Sequence, residues 1–459
     1  MMMLITGRCA TDGLSKSVQA NMPIVNSKRN VIIFLRCGVN SKKWQRLPRQ
    51  GVWCMNLVEC LALFVLAALA TMLLVPAAKR LAVRFDAIDY PSARRVNKEP
   101  VPRMGGVAML GGLLVALLAV FVGMCVLGWA DPFVPHPSLK VNYIGVGAGV
   151  LFMFAVGVVD DVVDLKPKTK LAGQVAAACI VVASGLLLSS VRNPFGAGFL
   201  EFGWFSYPLT VFYLVAFANV INLIDGLDGL AAGITAISAF TLFAFAVLTF
   251  RPDAAIMSIA LAGVCVGFLR YNFHPASIFM GDSGALLLGF SLGIVSLFAV
   301  ARSAAFVSLL VPLLAAGVPI IDTALAIVRR TRAHKPIDQA DSGHIHHRLM
   351  ETGFSQRATT LIMWGWTAVL ALCGVLITRL SGMGRIVVFC IAAGVTAYGV
   401  LKLHLLDPVL LHHYHPRKKT KRGRADGDGR TDEEAGGSDS EGGSGRDENE
   451  GAGSGTPRS

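Results

Sequence analysis

Asp225 and Asp228 stand three residues apart in the stretch Asn219 to Gly233, NVINLIDGLDGLAAG, between two apolar runs. Carboxylates so placed either cap helices or address a cation, and three further polar clusters bear on the choice. These are VVDDVVDLKPKTK, with Asp160, Asp161 and Lys170; RYNFHPASIFMGDSG, with Asn272, Phe279 and Asp282; and ADSGHIHHRLMETGFSQRATT, with His344, His346, His347 and Arg348. Together they offer carboxylates, amide oxygens, lysines and imidazoles. Hard oxygen donors suit Mg²⁺, with Mn²⁺ as the alternative, and Mg²⁺ habitually works with substrate phosphates. The chemistry implied is phosphoryl transfer to a lipid acceptor. Unit charges 4 Å apart repel by roughly 4 kcal/mol at an effective dielectric near 20. A phosphate attacking a pyrophosphate needs that repulsion cancelled.

Each cluster also has a plainer reading. Asp160 and Asp161 close a helix, where the dipole disfavours negative charge; Asp225 repeats that placement, and two such penalties at one face point to a cation or basic partners rather than solvated carboxylates. Asp228 and Asp282 open helices and can cap free amides. For Asp228 capping is the simpler reading. Around Asp282 the glycines of FMGDSG allow close backbone approach, and a helix N-terminus favours a phosphate. Asn219 and Asn222 lie about one turn apart. Asn222 can address a metal together with Asp225, or both asparagines can hydrogen-bond between helices. The histidines read as phosphate donors joined by Arg348, or as a solvated loop; zinc is the rival, but the HIHH spacing matches no common ligand pattern and no cysteine accompanies it.

The elements that must carry these residues are apolar. The chain has 459 residues, 54% hydrophobic and 15% charged, with mean hydropathy +0.59, which excludes an ordinary soluble protein. Eleven continuous apolar segments are long enough to cross a bilayer: near 57 to 78, 104 to 129, 141 to 159, 171 to 190, 208 to 224, 229 to 249, 254 to 271, 284 to 301, 305 to 328, 360 to 380 and 384 to 405. The pattern predicts an all-α polytopic membrane protein. Lys and Arg collect in the first-to-second, third-to-fourth and ninth-to-tenth loops, so those are expected to be cytoplasmic, with the first helix entering from outside and the C-terminus inside. All four polar clusters then fall on the cytoplasmic side and can converge on one cleft.

The net charge of +13 reflects this loop bias and RKKTKRGR at 417 to 424; it implies membrane-surface attraction, and no nucleic-acid partner is expected. The nine cysteines form no CxxC pair, so neither zinc site nor disulfide framework is suggested. Residues 1–54 lack any period and read as an extension, with Met55 as an alternative start; 55–411 read as the membrane domain. The tail 412–459 is basic, then Gly, Ser, Asp and Glu rich, a composition expected to be disordered.

In order, VPRMGG, DDVVDL, NVINLIDGLDGLAAG, FMGDSG and HIHHRL resemble the polyprenyl-phosphate N-acetylhexosamine-1-phosphate transferases, over residues 57 to 405. The resemblance implies ten or eleven helices, a homodimer, a bacterial plasma-membrane location and a cytoplasmic cleft. There a UDP-amino sugar gives its sugar-1-phosphate to undecaprenyl phosphate and UMP leaves. It implies Asp282 as the principal Mg²⁺ ligand and Asn222 as a second. Asp160 and Asp161 match the pair near the lipid phosphate, one of them a proposed base. Asp225 and Asp228 match the pair around the nucleotide, and Phe279 an aromatic that stacks on uracil. Lys98 and Lys170 match cleft-lining basic residues, and His344, His346 and His347 the cluster near the sugar-phosphate. Asn272 and Arg348 join the substrate-binding set.

HIHHRL, and Asp164 in DDVVDL, resemble the branch using UDP-N-acetylglucosamine, which starts polymers such as teichoic acid or O-antigen, more than the muramoyl-pentapeptide branch. Spacing and composition do not identify the sugar. An ion-coupled transporter is the rival of another class, but transporters place carboxylates near the membrane midplane.

Overall fold

The computed structural model describes residues 56–90, 99–133, 141–192, 199–300, 307–332 and 344–403. The extension 1–54 with Met55, Lys98 and the tail 412–459 lie outside the described residues. The apolar runs and the histidine segment form helices α1 (Leu57–Arg84), α2 (Gly105–Val126), α3 (Tyr143–Val163), α4 (Pro167–Ala183), α5 (Ser206–Ile224), α6 (Leu230–Leu248), α7 (Pro252–Asn272), α8 (Gly281–Val300), α9 (Val307–Ala315), α10 (Gly317–Arg332), α11 (Ile345–Glu351), α12 (Gln356–Arg379) and α13 (Met383–Lys402). A short 3-10 turn (Gly203–Phe205) and two antiparallel strand pairs complete the described elements. In one, β1 (Ile88–Asp89) sets Ile88 opposite Pro102 of β2 (Val101–Pro102); in the other, β3 (Ser190–Arg192) sets Val191 opposite Leu200 of β4 (Phe199–Glu201).

Local chemistry sets the helix starts. Asn56 accepts the Val58 N–H, Asn142 those of Ile144 and Gly145, and Ser355 that of Ala358, each satisfying amides with no partner inside the helix. Pro167 and Pro252 open α4 and α7, where a missing N–H costs no helical bond.

Among the described residues nine helices are long and apolar enough to cross a membrane: α1, α2, α3, α5, α6, α7, α8, α12 and α13. Two of the eleven expected segments differ. The fourth is α4, only 17 residues long and about 26 Å at 1.5 Å per residue. The ninth is broken into α9 and α10. Pro319, early in α10, has no N–H for the carbonyl of Ala315 four residues back. The Ser238 hydroxyl of α6 donates to that carbonyl instead, at 2.6 Å, which keeps the break satisfied inside an apolar bundle.

α8 is the central helix. It packs against α2, α3, α5, α6 and α7, and 94% of its apolar window is buried, against 11% for α13. Small residues allow the close approach: a Cβ on Gly157 of α3 would lie 2.5 Å from the Ser283 Cα and 2.7 Å from the Asp282 carbonyl oxygen. Gly157→Ala is therefore expected to push α3 off the start of α8. The cost should be about 1–3 kcal/mol, read as a lower thermal midpoint in detergent.

Candidate active site

The connections α1–α2, α3–α4, α5–α6 and α7–α8 meet at one end of the bundle. The VPRMGG and FMGDSG motifs join there through their backbones. The Phe279 N–H donates to Pro102 O at 2.8 Å, the Gly105 N–H to Phe279 O at 3.0 Å and the Gly106 N–H to Met280 O at 2.9 Å. The chain then turns at Gly281, where φ is +68° and a Cβ would sit 2.6 Å from both carboxylate oxygens of Asp161. A side chain is excluded there on two counts, conformation and space.

Asp161, buried in the last turn of α3, accepts the Asp282 N–H at 2.7 Å and the Ser283 N–H at 3.0 Å. It thus caps α8, and the two amides that the sequence offered to a phosphate are already taken. Asp161→Ala is expected to lower thermal stability by about 1–2 kcal/mol and to reduce turnover with it. Equal stability in wild type and variant would refute the capping role.

Asp282 and Asp160 face Lys170. The Lys170 ammonium lies 2.5 Å from Asp282 Oδ1 and 2.8 Å from Asp160 Oδ2. It also donates to Asn222 Oδ1 at 3.3 Å, and the Asn222 amide donates to Asp282 Oδ1 at 2.5 Å. The other Asp160 oxygen accepts the Leu165 N–H at 2.8 Å and fixes the α3–α4 turn. Next to that turn, Asp164 ion-pairs with Arg103 of VPRMGG at 2.9 Å. The two asparagines part company. Asn219 exchanges hydrogen bonds with Gln174 of α4, at 2.6 and 3.3 Å, so it is an interhelical tie, whereas Asn222 lies at Asp282.

Asp225 ends α5 half-buried. Burial first, then the negative charges of Asp282, Asp161 and Asp228, push its carboxyl up to about 8. Asp228 does not cap α6, whose N-cap is Gly229 with no side-chain hydrogen bond. Its carboxylate instead lies 2.7 Å from His274 Nδ1 and accepts the Ala276 N–H at 3.0 Å. Asn272 is buried and engaged at both ends, accepting the Gly229 N–H at 3.1 Å and donating to Ile278 O at 3.0 Å. These bonds lock the α5–α6 turn to the α7–α8 loop, which positions Asp225 near Asp282. Phe279 sits half-buried on that loop.

The histidines open α11. His344 and His346 stack with ring centroids 5.6 Å apart, and His347 lies 4.4 Å from His346. His346 is buried against the α5–α6 turn, since a Cβ on Gly226 would lie 2.9 Å from its Nε2. Burial, reinforced by His347, pushes its imidazole down to about 3, so it is neutral at physiological pH. Arg348 pairs with Glu351 at 3.2 Å. Sequence reasoning passed over His274, Gln174 and Asp322. Asp322 lies 2.8 Å from His344 Nδ1 and accepts the Ile345 N–H at 2.8 Å. Its signal was a lone carboxylate inside the apolar run GVPIIDTALAIV, the kind of intramembrane charge that marks function.

The donor set fits a hard divalent cation. The oxygens of Asp282, Asp160 and Asn222 gather around the Lys170 ammonium, while the Asn222 amide nitrogen faces Asp282. No three His, Cys, Asp or Glu groups are preassembled as a metal cage among the described residues. Mg²⁺ rarely uses one, holding one or two carboxylates plus waters and substrate phosphates. A groove of about 1620 Å³ runs between α4, α5 and α10, lined by Lys168 and Asn219 of the helices that carry Lys170 and Asn222. Its walls include Leu171, Val175 and Val211, and its polar end carries Lys168, Arg330 and His344.

Fold and site together define a multi-pass membrane protein with a polar cleft at one end of the bundle. The family model for glycosyl transferase family 4 matches residues 143–300. The chain is 37% identical over 309 residues, 67% of its length and 82% of the relative's, to a Bacillus subtilis (strain 168) protein named "Probable undecaprenyl-phosphate N-acetylglucosaminyl 1-phosphate transferase". It is 39% identical to the decaprenyl-phosphate N-acetylglucosaminephosphotransferase of Mycolicibacterium smegmatis, over 63% of this chain and 75% of that one. A phospho-N-acetylmuramoyl-pentapeptide-transferase of Desulforudis audaxviator is 33% identical, over 64% of this chain and 89% of its own. The chain belongs to glycosyl transferase family 4, among the polyprenyl-phosphate N-acetylhexosamine-1-phosphate transferases, on the side of the N-acetylglucosamine branch.

Proposed function

We propose that the protein transfers N-acetylglucosamine-1-phosphate from UDP-N-acetylglucosamine to undecaprenyl phosphate at the cytoplasmic face of a bacterial plasma membrane. The products are undecaprenyl-pyrophosphoryl-N-acetylglucosamine and UMP, the first membrane step of an envelope glycopolymer such as teichoic acid or O-antigen. One observation carries the reading: α4 and α5, which bring Lys170 and Asn222 to Asp160 and Asp282, also wall a groove with apolar sides and a cationic end. That juxtaposition suits a reaction between a water-soluble nucleotide and a lipid-borne phosphate.

In this reading Asp282 and Asn222 would hold Mg²⁺, which supplies neutralisation of pyrophosphate charge. Lys170 holds Asp160 and Asp282 in register and contributes positive charge where phosphates approach. The α5–α6 turn, locked by Asp228 and Asn272, sets Asp225 on the nucleotide side. Lys168 and Arg330 attract the lipid phosphate to the end of the groove while its chain lies along the apolar walls. Positioning and charge neutralisation carry most of the rate. The dimer implied by the resemblance belongs to the same proposal.

The test is UMP release by purified protein, with undecaprenyl or decaprenyl phosphate as acceptor and UDP-N-acetylglucosamine, UDP-N-acetylgalactosamine or UDP-N-acetylmuramoyl-pentapeptide as donor. Turnover with UDP-N-acetylglucosamine alone is expected. Turnover only with the pentapeptide donor would move the protein to peptidoglycan synthesis. Chelation should abolish UMP release and Mg²⁺ restore it; full activity in chelator would remove the metal from the proposal.

A further inference from the structure

We propose that Asp322 is a positioning residue. It holds His344 in the Nδ1–H tautomer, so that the Nε2 lone pair takes the proton of a singly protonated phosphate monoester at the polar end of the α4–α5–α10 groove. The inference rests on reading that groove as the acceptor site.

Asp322 is 1% exposed, and a buried carboxylate persists only when its oxygens are satisfied. Both are: Oδ1 accepts the Ile345 N–H and Oδ2 faces His344 Nδ1, each at 2.8 Å. α10 begins at Gly317, after the break that follows Ala315, and Asp322 in its second turn meets the N-terminus of α11. In neutral imidazole one nitrogen donates and the other accepts. A carboxylate accepting from Nδ1–H therefore leaves Nε2 as the acceptor. His344 lines the groove together with Lys168 and Arg330, the cations that draw an anion to it.

The step balances. The acceptor's phosphate O–H bond breaks and an N–H bond forms at Nε2. The resulting imidazolium, charge-paired with Asp322, remains hydrogen-bonded to a phosphate that is now the dianionic nucleophile. With a second phosphate pKa near 6, only about a tenth of the acceptor carries that proton at pH 7. For the dianionic remainder the same ion pair is reached when Nε2 takes its proton from solvent water, so the Asp322-paired imidazolium faces a dianion by either route.

Asp322→Asn, in full-length protein purified in detergent, tests this. The variant keeps an oxygen for the Ile345 N–H but turns an amide N–H toward His344, imposing the Nε2–H tautomer. Turnover should fall about 10- to 100-fold, within the range of general-base contributions. KM for the nucleotide donor and the thermal midpoint should hold. Because Asp322 acts through His344, adding Asp322→Asn to His344→Ala should cause no further loss. A further loss in that background, or unchanged turnover in the single variant, overturns the proposal. A second readout needs no activity: the ¹⁵N shifts of His344 should report a protonated Nδ1 in wild type and a protonated Nε2 in Asp322→Asn. The opposite wild-type tautomer refutes the dyad. Wild type that releases no UMP with any donor refutes the transferase reading, and the ¹⁵N measurement then decides the dyad separately.

Discussion

Asp282→Ala is expected to reduce UMP release roughly 10³-fold, about 4 kcal/mol of transition-state stabilisation, while the protein still inserts and stays monodisperse. The loss is large because Asp282 is the carboxylate on which Lys170 and Asn222 converge, and it is the expected anchor of the cation. The fold should survive for a reason specific to this site. The α8 cap runs from Asp161 to the backbone amide of residue 282, which alanine keeps. Removing the side chain also relieves repulsion from Asp160, and Lys170 retains Asp160 as its partner at 2.8 Å. Initial-rate UMP release and size-exclusion profiles of wild type and variant decide the matter. Normal turnover in the variant would sink the metal assignment, and Asp282→Asn guards against a folding artefact by keeping the shape without the charge.

Lys170→Met should lower turnover about 10²-fold and also lower stability. Its ammonium bridges two carboxylates that cannot move apart, one in the last turn of α3 and the other in the first turn of α8. Breaking a largely buried ion pair leaves an uncompensated charge at a cost of about 3–5 kcal/mol; with Lys170 18% exposed, about 2–3 kcal/mol is the better expectation. Lys170→Arg should not restore activity, because a planar fork cannot replace a compact ammonium among the oxygens of Asp160, Asp282 and Asn222. Thermal scans with parallel kinetics check both claims. An arginine variant with wild-type turnover would show that charge alone suffices there.

The sequence itself disclosed the apolar runs and the four polar clusters, because period and length report directly on helices in a membrane. Asp160, Asp161, Asn222 and Asp282 were legible for a related reason: polar groups beside apolar runs are conspicuous, and their motif order is distinctive. Their division of labour was not legible. Asp160 and Asp161 are adjacent and chemically identical, yet Asp161 caps α8 while Asp160 meets Lys170, because neighbouring residues on a helix point about 100° apart. Asn219 and Asn222 likewise share a motif but face Gln174 and Asp282 respectively. The broken ninth segment escaped notice because its prolines sit within an unbroken apolar run, and only packing against Ser238 shows how the freed carbonyl is satisfied.

Membrane character, helix content and the family motifs were thus determined by the sequence alone, since each depends on local composition or on order along the chain. Tertiary structure decided that α8 is the buried axis and α13 the periphery, which helices of similar apolar composition cannot announce. It also decided that Asp228 binds His274 and that Asp322 holds His344. Those pairings join residues 46 and 22 positions apart. Such contacts arise only when separate helices pack, and no local pattern encodes which polar side chain will meet which.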